Sequence, residues 1–286
     1  MIFKYLAYII TASIEIVLPI ILAIIIWKKF KVSWAIFFLG MALFLVSLIR
    51  SPLNNYLAGL LEPHLKGELF YILIGAVTGL TAGIFEEGVR WIAFGTIIKK
   101  RNYYKGIMYG IGHGGGGESM VFIGLNTLAT YIIYIFSPNI LPAKIVIEIK
   151  EAVWWLPFVG EAERIFVIAI QIAFSLLIMY AFVSKKFYIV PITIIFHAVV
   201  DFTAYYIKWA MHLTLVDPTY SVLEHFLPCL RLLYTVGTGV KCIALYINYK
   251  FGMWYSELSV LIFAAAGIII IILFRPNKHK HAINIL

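Results

Sequence analysis

What most limits this chain is a succession of apolar runs too long for anything but membrane-crossing helices. The first, "MIFKYLAYIITASIEIVLPIILAIIIW", has one early Lys and only Glu15 as an acid before Trp27. A bilayer core about 30 Å thick takes about 20 apolar residues of helix, and only helices and closed barrels satisfy their own backbone in lipid. A barrel strand is about 9 to 11 residues, far shorter than these runs. The pattern predicts an all-α, polytopic transmembrane bundle with spans near 3–27, 34–49, 69–98, 106–135, 164–183, 188–207, 232–249 and 257–274. The count is seven or eight, because the stretch 232–249 holds Lys241 and follows "DPTYSVLEHFLPCLRLL", which reads as an interfacial or re-entrant piece. With 63% hydrophobic and 13% charged residues in 286, no segment between the runs is large enough for a second core, so one transmembrane domain over 1–286 is expected. No small-residue cleavage signature precedes Trp27, and the first run reads as a retained span.

The formal net charge of +9 sits in short loops, "KKFK" at 28–31, "KKRNYYK" at 99–105 and "KK" at 185–186. Two spans separate each from the next, so all three lie on one side, which the positive-inside rule makes the cytoplasm of a multi-pass cell-membrane protein. The N-terminus is then outside, with the loop 136–163 and its Glu148, Glu151, Glu161 and Glu163. The tail "RPNKHKHAINIL" falls inside with seven spans and outside with eight. No aromatic-basic interleaving accompanies the charge, which excludes nucleic acid and leaves membrane lipids as the surroundings. Cys229 and Cys242 lack metal-type spacing and read as small apolar fillers.

Charge inside a span costs roughly 2.5 to 3.5 kcal/mol on insertion scales, so such residues face the bundle interior and have partners. In "GIFEEGVRW", Glu86 to Arg90 is an i,i+4 step and Glu87 to Arg90 an i,i+3 step, so one guanidinium can reach both carboxylates. Two acids against one base leave one negative charge and a candidate general base or acid; the bland reading is an ion pair that fixes packing. In "YGIGHGGGGES", His113 precedes four glycines and Glu118. The glycines either form a face for close helix packing or unwind and offer backbone N–H groups to a ligand. In "FHAVVDF", His197 and Asp201 stand one turn apart, so the carboxylate can fix the imidazole tautomer, the pair can bind metal, or it can be a lone interhelical hydrogen bond. At 1.5 Å per residue, Glu86, His113 and His197 lie about 20, 12 and 16 Å from their basic loops. This common depth predicts one polar cavity opening toward the cytoplasmic half. Glu163 and Arg164 read first as a solvated helix start, Gln171 as a residue able to face the cavity, and Glu15 as an acid with no assigned partner.

Together the Glu-Glu-x-x-Arg cluster, Tyr-x-x-x-His (Tyr109, His113) and His-x-x-x-Asp (His197, Asp201) resemble the CAAX prenyl protease and bacteriocin-processing superfamily of intramembrane proteases, and within it the YhfC-type membrane peptidases. "SLIRSPLNNYL" and "ERIFVIAIQIAFSLL" add to the likeness, which covers about 20–205. The resemblance implies a helical bundle around a water-filled chamber, where a glutamate activates water and histidines hold the water and the oxyanion. Carried over, Glu86 or Glu87 is the base, Arg90 its organiser, His113 and His197 the polar clamp, and Asp201 the group orienting His197. Tyr109, Glu118, Glu163, Arg164 and Gln171 are supporting candidates. Three departures stand out. The prenyl proteases have three residues between the second Glu and the Arg where this chain has two, which leaves the base open between Glu86 and Glu87. YhfC-type sequences tend to carry a histidine at the position of Gln171, and they have one residue fewer between the histidine and the acid, so His113 and Glu118, at i+5 here, need a bulge to share a face.

The expected function is a glutamic-type, metal-independent intramembrane endopeptidase acting on a membrane-associated or lipidated polypeptide. The alternative is a non-hydrolytic membrane protein using the cavity for ion or proton transport or to bind a partner helix, although no internal symmetry between halves supports transport. No cofactor is expected, since there is no His-Glu-x-x-His helix and Arg90 repels a cation; if a metal is used, zinc would lie on His113, His197 and Glu86.

Overall fold

A computed structural model describes residues 2–65, 67–216 and 258–276, and these contain helices and no strand. Six of their helices are long and apolar enough to cross a membrane. Helix α1 is Ile2–Phe30, and the second span is α2, Trp34–Ser47, continued by α3, Arg50–Leu61. Helix α4 is Gly67–Ile92. The fourth span comprises α5, Tyr103–Gly110, a π-helical segment, Ile111–Gly124, and α6, Leu125–Phe136. After a short helix α7, Ala143–Glu151, come α8, Leu156–Ser184, and α9, Ile189–Val216. A shorter apolar helix, α10, Leu258–Leu273, stands where the last run was expected. The expected span 232–249, Lys241, both cysteines and the end of the basic tail lie outside the described residues.

Two element boundaries differ from the sequence reading. The fifth span starts at Leu156 rather than 164, with Pro157 in its first turn, so Glu161 and Glu163 belong to the helix and not to a loop. Acids inside a span are tolerated where a base meets them, and Arg164 binds Glu163 at 2.5 Å. The second span breaks at Leu48–Ile49 and restarts as α3, whose first turn accommodates Pro52 because an N–H there needs no helical partner.

The three basic loops follow the first, third and fifth spans and so share one end of the bundle. In each, a lysine rather than a glycine takes the left-handed conformation beyond the helix: Lys31 (φ 55°), Lys100 (φ 53°) and Lys185 (φ 57°). Each such residue costs on the order of 1 kcal/mol in backbone strain. Charge at the membrane boundary has taken precedence over the easier turn residue.

Helix α8 is the most enclosed span, packed against α1, α4, α5, α9 and the π segment. The most extensive helix pair is α4 with α9. Gly75, Gly79 and Gly83 recur every fourth residue on α4 and lie against α9, where added Cβ atoms would strike the carbonyl oxygens of Ala198 (from Gly79) and Ile194 (from Gly83). Small residues at this spacing let two backbones approach in lipid, where lipid tails compete for apolar contact. That approach fixes the carboxylates of α4 against His197 of α9.

Candidate active site

The glycine run folds as a packing face rather than an unwound loop. All of Gly112 and Gly114–Gly117 are buried, and a Cβ on Gly114, Gly115, Gly116 or Gly117 would meet Gln171, Pro19, Phe37 or Phe44 respectively. The segment keeps a hydrogen-bonded helix but in the i→i+5 pattern. Stretches of this kind are rare and concentrate at functional sites. The consequence is geometric: His113 and Glu118, five residues apart, now reach the same cluster, as the bulge expected from their spacing requires.

Glu86 and Glu87 of α4 are buried with Arg90. The guanidinium pairs with Glu87 Oε1 and with Gln171 Oε1, and lies 3.8 Å from Glu86 Oε2. Glu86 Oε2 accepts from His113 Nε2 at 3.1 Å and from Gln171 Nε2 at 3.2 Å. Its other oxygen accepts from Arg50 at 2.9 Å. Gln171 also donates to Glu118 Oε2 at 2.9 Å, and Glu118 Oε1 accepts from Arg164 at 3.1 Å. Glu163 and Arg164 are thus part of the site rather than a solvated helix start.

His197 is oriented by Glu87, not by Asp201. Its Nδ1 lies 2.7 Å from Glu87 Oε1, whereas Asp201 Oδ1 is 3.8 Å from Nε2. Nδ1–H of the ring donates to Glu87, which turns Nε2 toward Glu86 Oε2, 3.8 Å away. The one-turn spacing of His197 and Asp201 was a sound helical neighbour relation, but the shorter bond came from the facing helix. Phe174 stacks on the His197 ring at 4.7 Å and Phe44 meets His113 edge-on at 5.3 Å. Tyr109 stacks at 5.8 Å from His113, and its buried hydroxyl makes no hydrogen bond among the described residues, so it supports the ring by packing.

Arg50, at the start of α3, is the residue that sequence reasoning passed over. It joins Glu86 and lies 4.0 Å from Asp201. Its signal was available: an arginine at the end of an apolar run, in a stretch already noted only for its likeness to relatives.

Glu86, Glu87, Glu118, Glu163 and Asp201 face Arg50, Arg90 and Arg164, an excess of two negative charges to be met by protons or by a cation. The Glu86, His113 and His197 side chains approach a metal-type donor set: two imidazole nitrogens lie 3.1 and 3.8 Å from one carboxylate oxygen, near the ~3.3 Å edge of a tetrahedral zinc shell. Glu87 on the far nitrogen of His197 is the outer partner such a ligand carries. Against this, two arginines already neutralise Glu86, and among the described residues no three His, Cys, Asp or Glu are assembled as a metal cage.

Two cavities adjoin the cluster, lined by Arg50, Glu118, Arg164 and Asp201 among others, and one of them reaches Glu86. Their further walls include Thr78, Ser51, Phe122 and Ala204, which lie farther along their helices from the basic loops than Glu86, His113 and His197 do. Depth counted along helices locates side chains; the direction of empty space depends on which neighbouring side chains are short.

The model of the YhfC intramembrane metalloprotease family matches residues 14–220, a stretch that holds every residue of this cluster. A curated relative, the "Uncharacterized membrane protein YhfC" of Bacillus subtilis (strain 168), is 27% identical over 215 residues, 68% of this chain and 81% of its own. No solved structure matches. With most of its length matched and its intramembrane acids, arginines and histidines gathered at one point, the chain belongs to the YhfC intramembrane metalloprotease family.

Proposed function

We propose that the chain is an intramembrane endopeptidase acting on membrane-associated polypeptides, with Glu86 as the general base. The observation that carries this reading is the environment of Glu86. An ionised carboxylate offers about four acceptor positions. Oε2 is taken by His113 and Gln171 and Oε1 by Arg50, which leaves a position on Oε1 in a residue that lines a cavity. Glu87, fully buried between Arg90 and His197, is the organiser instead.

In this mechanism His197 acts in its neutral form with the proton on Nδ1, and a water donates one hydrogen to Glu86 and another to Nε2 of His197. As Glu86 takes the proton, the water oxygen adds to the peptide carbonyl, and Arg50 donates to the oxyanion. Glu86 then returns the proton to the nitrogen, the C–N bond breaks, and an acid and an amine leave. His113 and Gln171 hold Oε2 so that the reacting lone pair keeps its direction. On this reading the basic end faces the cytoplasm, and the cavities extend from the cluster away from that end.

A second reading follows from the two imidazole nitrogens near one Glu86 oxygen and from the family's description as metalloproteases. Here His113, His197 and Glu86 would hold a zinc ion, which when bound lowers the pKa of water and polarises the carbonyl. The arginines on Glu86 favour the first reading.

The test compares peptide termini in membranes of cells carrying wild type, Glu86→Gln or no protein. Termini should appear with wild type alone, while Glu86→Gln assembles normally. Persistence of those termini in Glu86→Gln would overturn the assignment of the base. The metal question is decided by purified protein: activity that survives stringent chelation, in a preparation with no stoichiometric zinc, supports the first reading, and loss restored by zinc supports the second.

A further inference from the structure

The two cavities meet across a common wall of Arg50, Glu118, Arg164, Gln171, His197 and Asp201. One, about 340 Å³, holds Glu86 and reaches between α2, α3 and the π segment through Phe44, Ser51, Asn54 and Phe122. The other, about 240 Å³, lies between α8, α9 and α10, and beyond the shared wall it is bounded largely by apolar side chains, among them Val167, Ile170, Phe174, Val200, Ala204 and Val260. Each chamber is large enough for one or two side chains of a bound polypeptide.

We infer that the substrate's scissile bond lies at the shared wall beside Glu86, with one large apolar side chain in the α8–α9 chamber. This rests on the proteolytic reading above and adds its specificity. Because space continues on both sides of the wall, the bond cut lies inside a chain and not at a free end. Beyond the shared wall the α8–α9 chamber is apolar except for Thr78 and Glu163, whereas the other chamber interleaves Ser51, Asn54 and Glu86 with its apolar residues, so the demand for a large aliphatic or aromatic residue falls on one side of that bond. Ala204 is the smallest side chain named in that wall, so a larger residue there fills the chamber without touching Glu86, His113 or Arg90.

The experiment uses the full-length protein in lipid nanodiscs and a degenerate library of short peptides, with free and with blocked termini, and reads the product ends by mass spectrometry. Wild type should cut blocked and free peptides equally, with large apolar residues enriched at one fixed position. Ala204→Phe should move that preference to Ala and Gly by roughly 10 to 200-fold, the usual discrimination of an apolar pocket. Continued cutting of the small-residue peptides would show that the variant is folded. Val200→Phe, on the same wall, serves as the second variant. Cutting with an unchanged preference in both variants, or cutting confined to free-ended peptides, overturns this inference and leaves Glu86 as base untouched. Failure of wild type to cut any peptide, together with no wild-type-dependent termini in cells, overturns the proteolytic reading and this inference with it.

Discussion

Gly79 lies seven residues before Glu86 and touches nothing in the site, yet Gly79→Ala should be among the most damaging single substitutions for activity. Its Cβ would fall well inside contact distance of the Ala198 carbonyl oxygen and 3.1 Å from the Phe202 nitrogen, both backbone atoms that cannot rotate away. Relief requires α4 and α9 to part by about 1 Å, a displacement that can cost on the order of 100-fold in rate when it falls between catalytic groups. Here it falls between Glu87 Oε1 and His197 Nδ1, now 2.7 Å apart, and beyond about 3.5 Å that hydrogen bond is gone. Overpacking should also lower stability by roughly 1 to 3 kcal/mol. Gly88, next to both glutamates, is the control: a Cβ there meets nothing within 4 Å. Gly88→Ala should keep full activity and gain about 0.5 to 1 kcal/mol from helix propensity. The assay is the rate of appearance of wild-type-dependent termini, alongside thermal unfolding in detergent. Unchanged activity in Gly79→Ala, or equal losses in the two variants, would refute the argument that close glycine packing sets the geometry of the site.

Arg90→Met leaves the Glu87 carboxylate buried without its guanidinium, and should lower stability by roughly 3 to 5 kcal/mol; Arg90→Met with Glu87→Gln should recover much of that in unfolding experiments. Gln171→Leu removes donors to Glu86 and Glu118 and the acceptor for Arg90, so a loss of about 1 to 3 kcal/mol is expected, and an unchanged melting temperature would show those bonds to be dispensable. Glu161 is buried in α8 and, among the described residues, neither of its oxygens makes a hydrogen bond, so Glu161→Leu should raise the melting temperature without changing turnover. Gly114→Leu should prevent accumulation of folded protein, because its side chain would occupy the place of Gln171.

Apolar run length determined the all-helical membrane fold, because hydrocarbon leaves a backbone no other way to satisfy its polar groups in an open segment. The cost of intramembrane charge likewise made Glu86, Glu87, Arg90, His113 and His197 legible as a group, and helical spacing foretold the reach of Arg90 to both acids. Spacing also foretold that His113 and Glu118 could share a site only through a distorted helix. What one helix's sequence could not decide was which group on another helix comes closest. Hence Glu87 rather than Asp201 holds His197, and Arg50 closes on Glu86 from a stretch between the second and third expected spans to which the sequence assigned no role. The glycine run could equally have unwound or packed; it packed because Pro19, Phe37, Phe44 and Gln171 occupy the space its missing side chains leave. The direction of the cavities was undetermined for the same reason, since empty space belongs to the gaps between helices and is set only when every neighbour is in place.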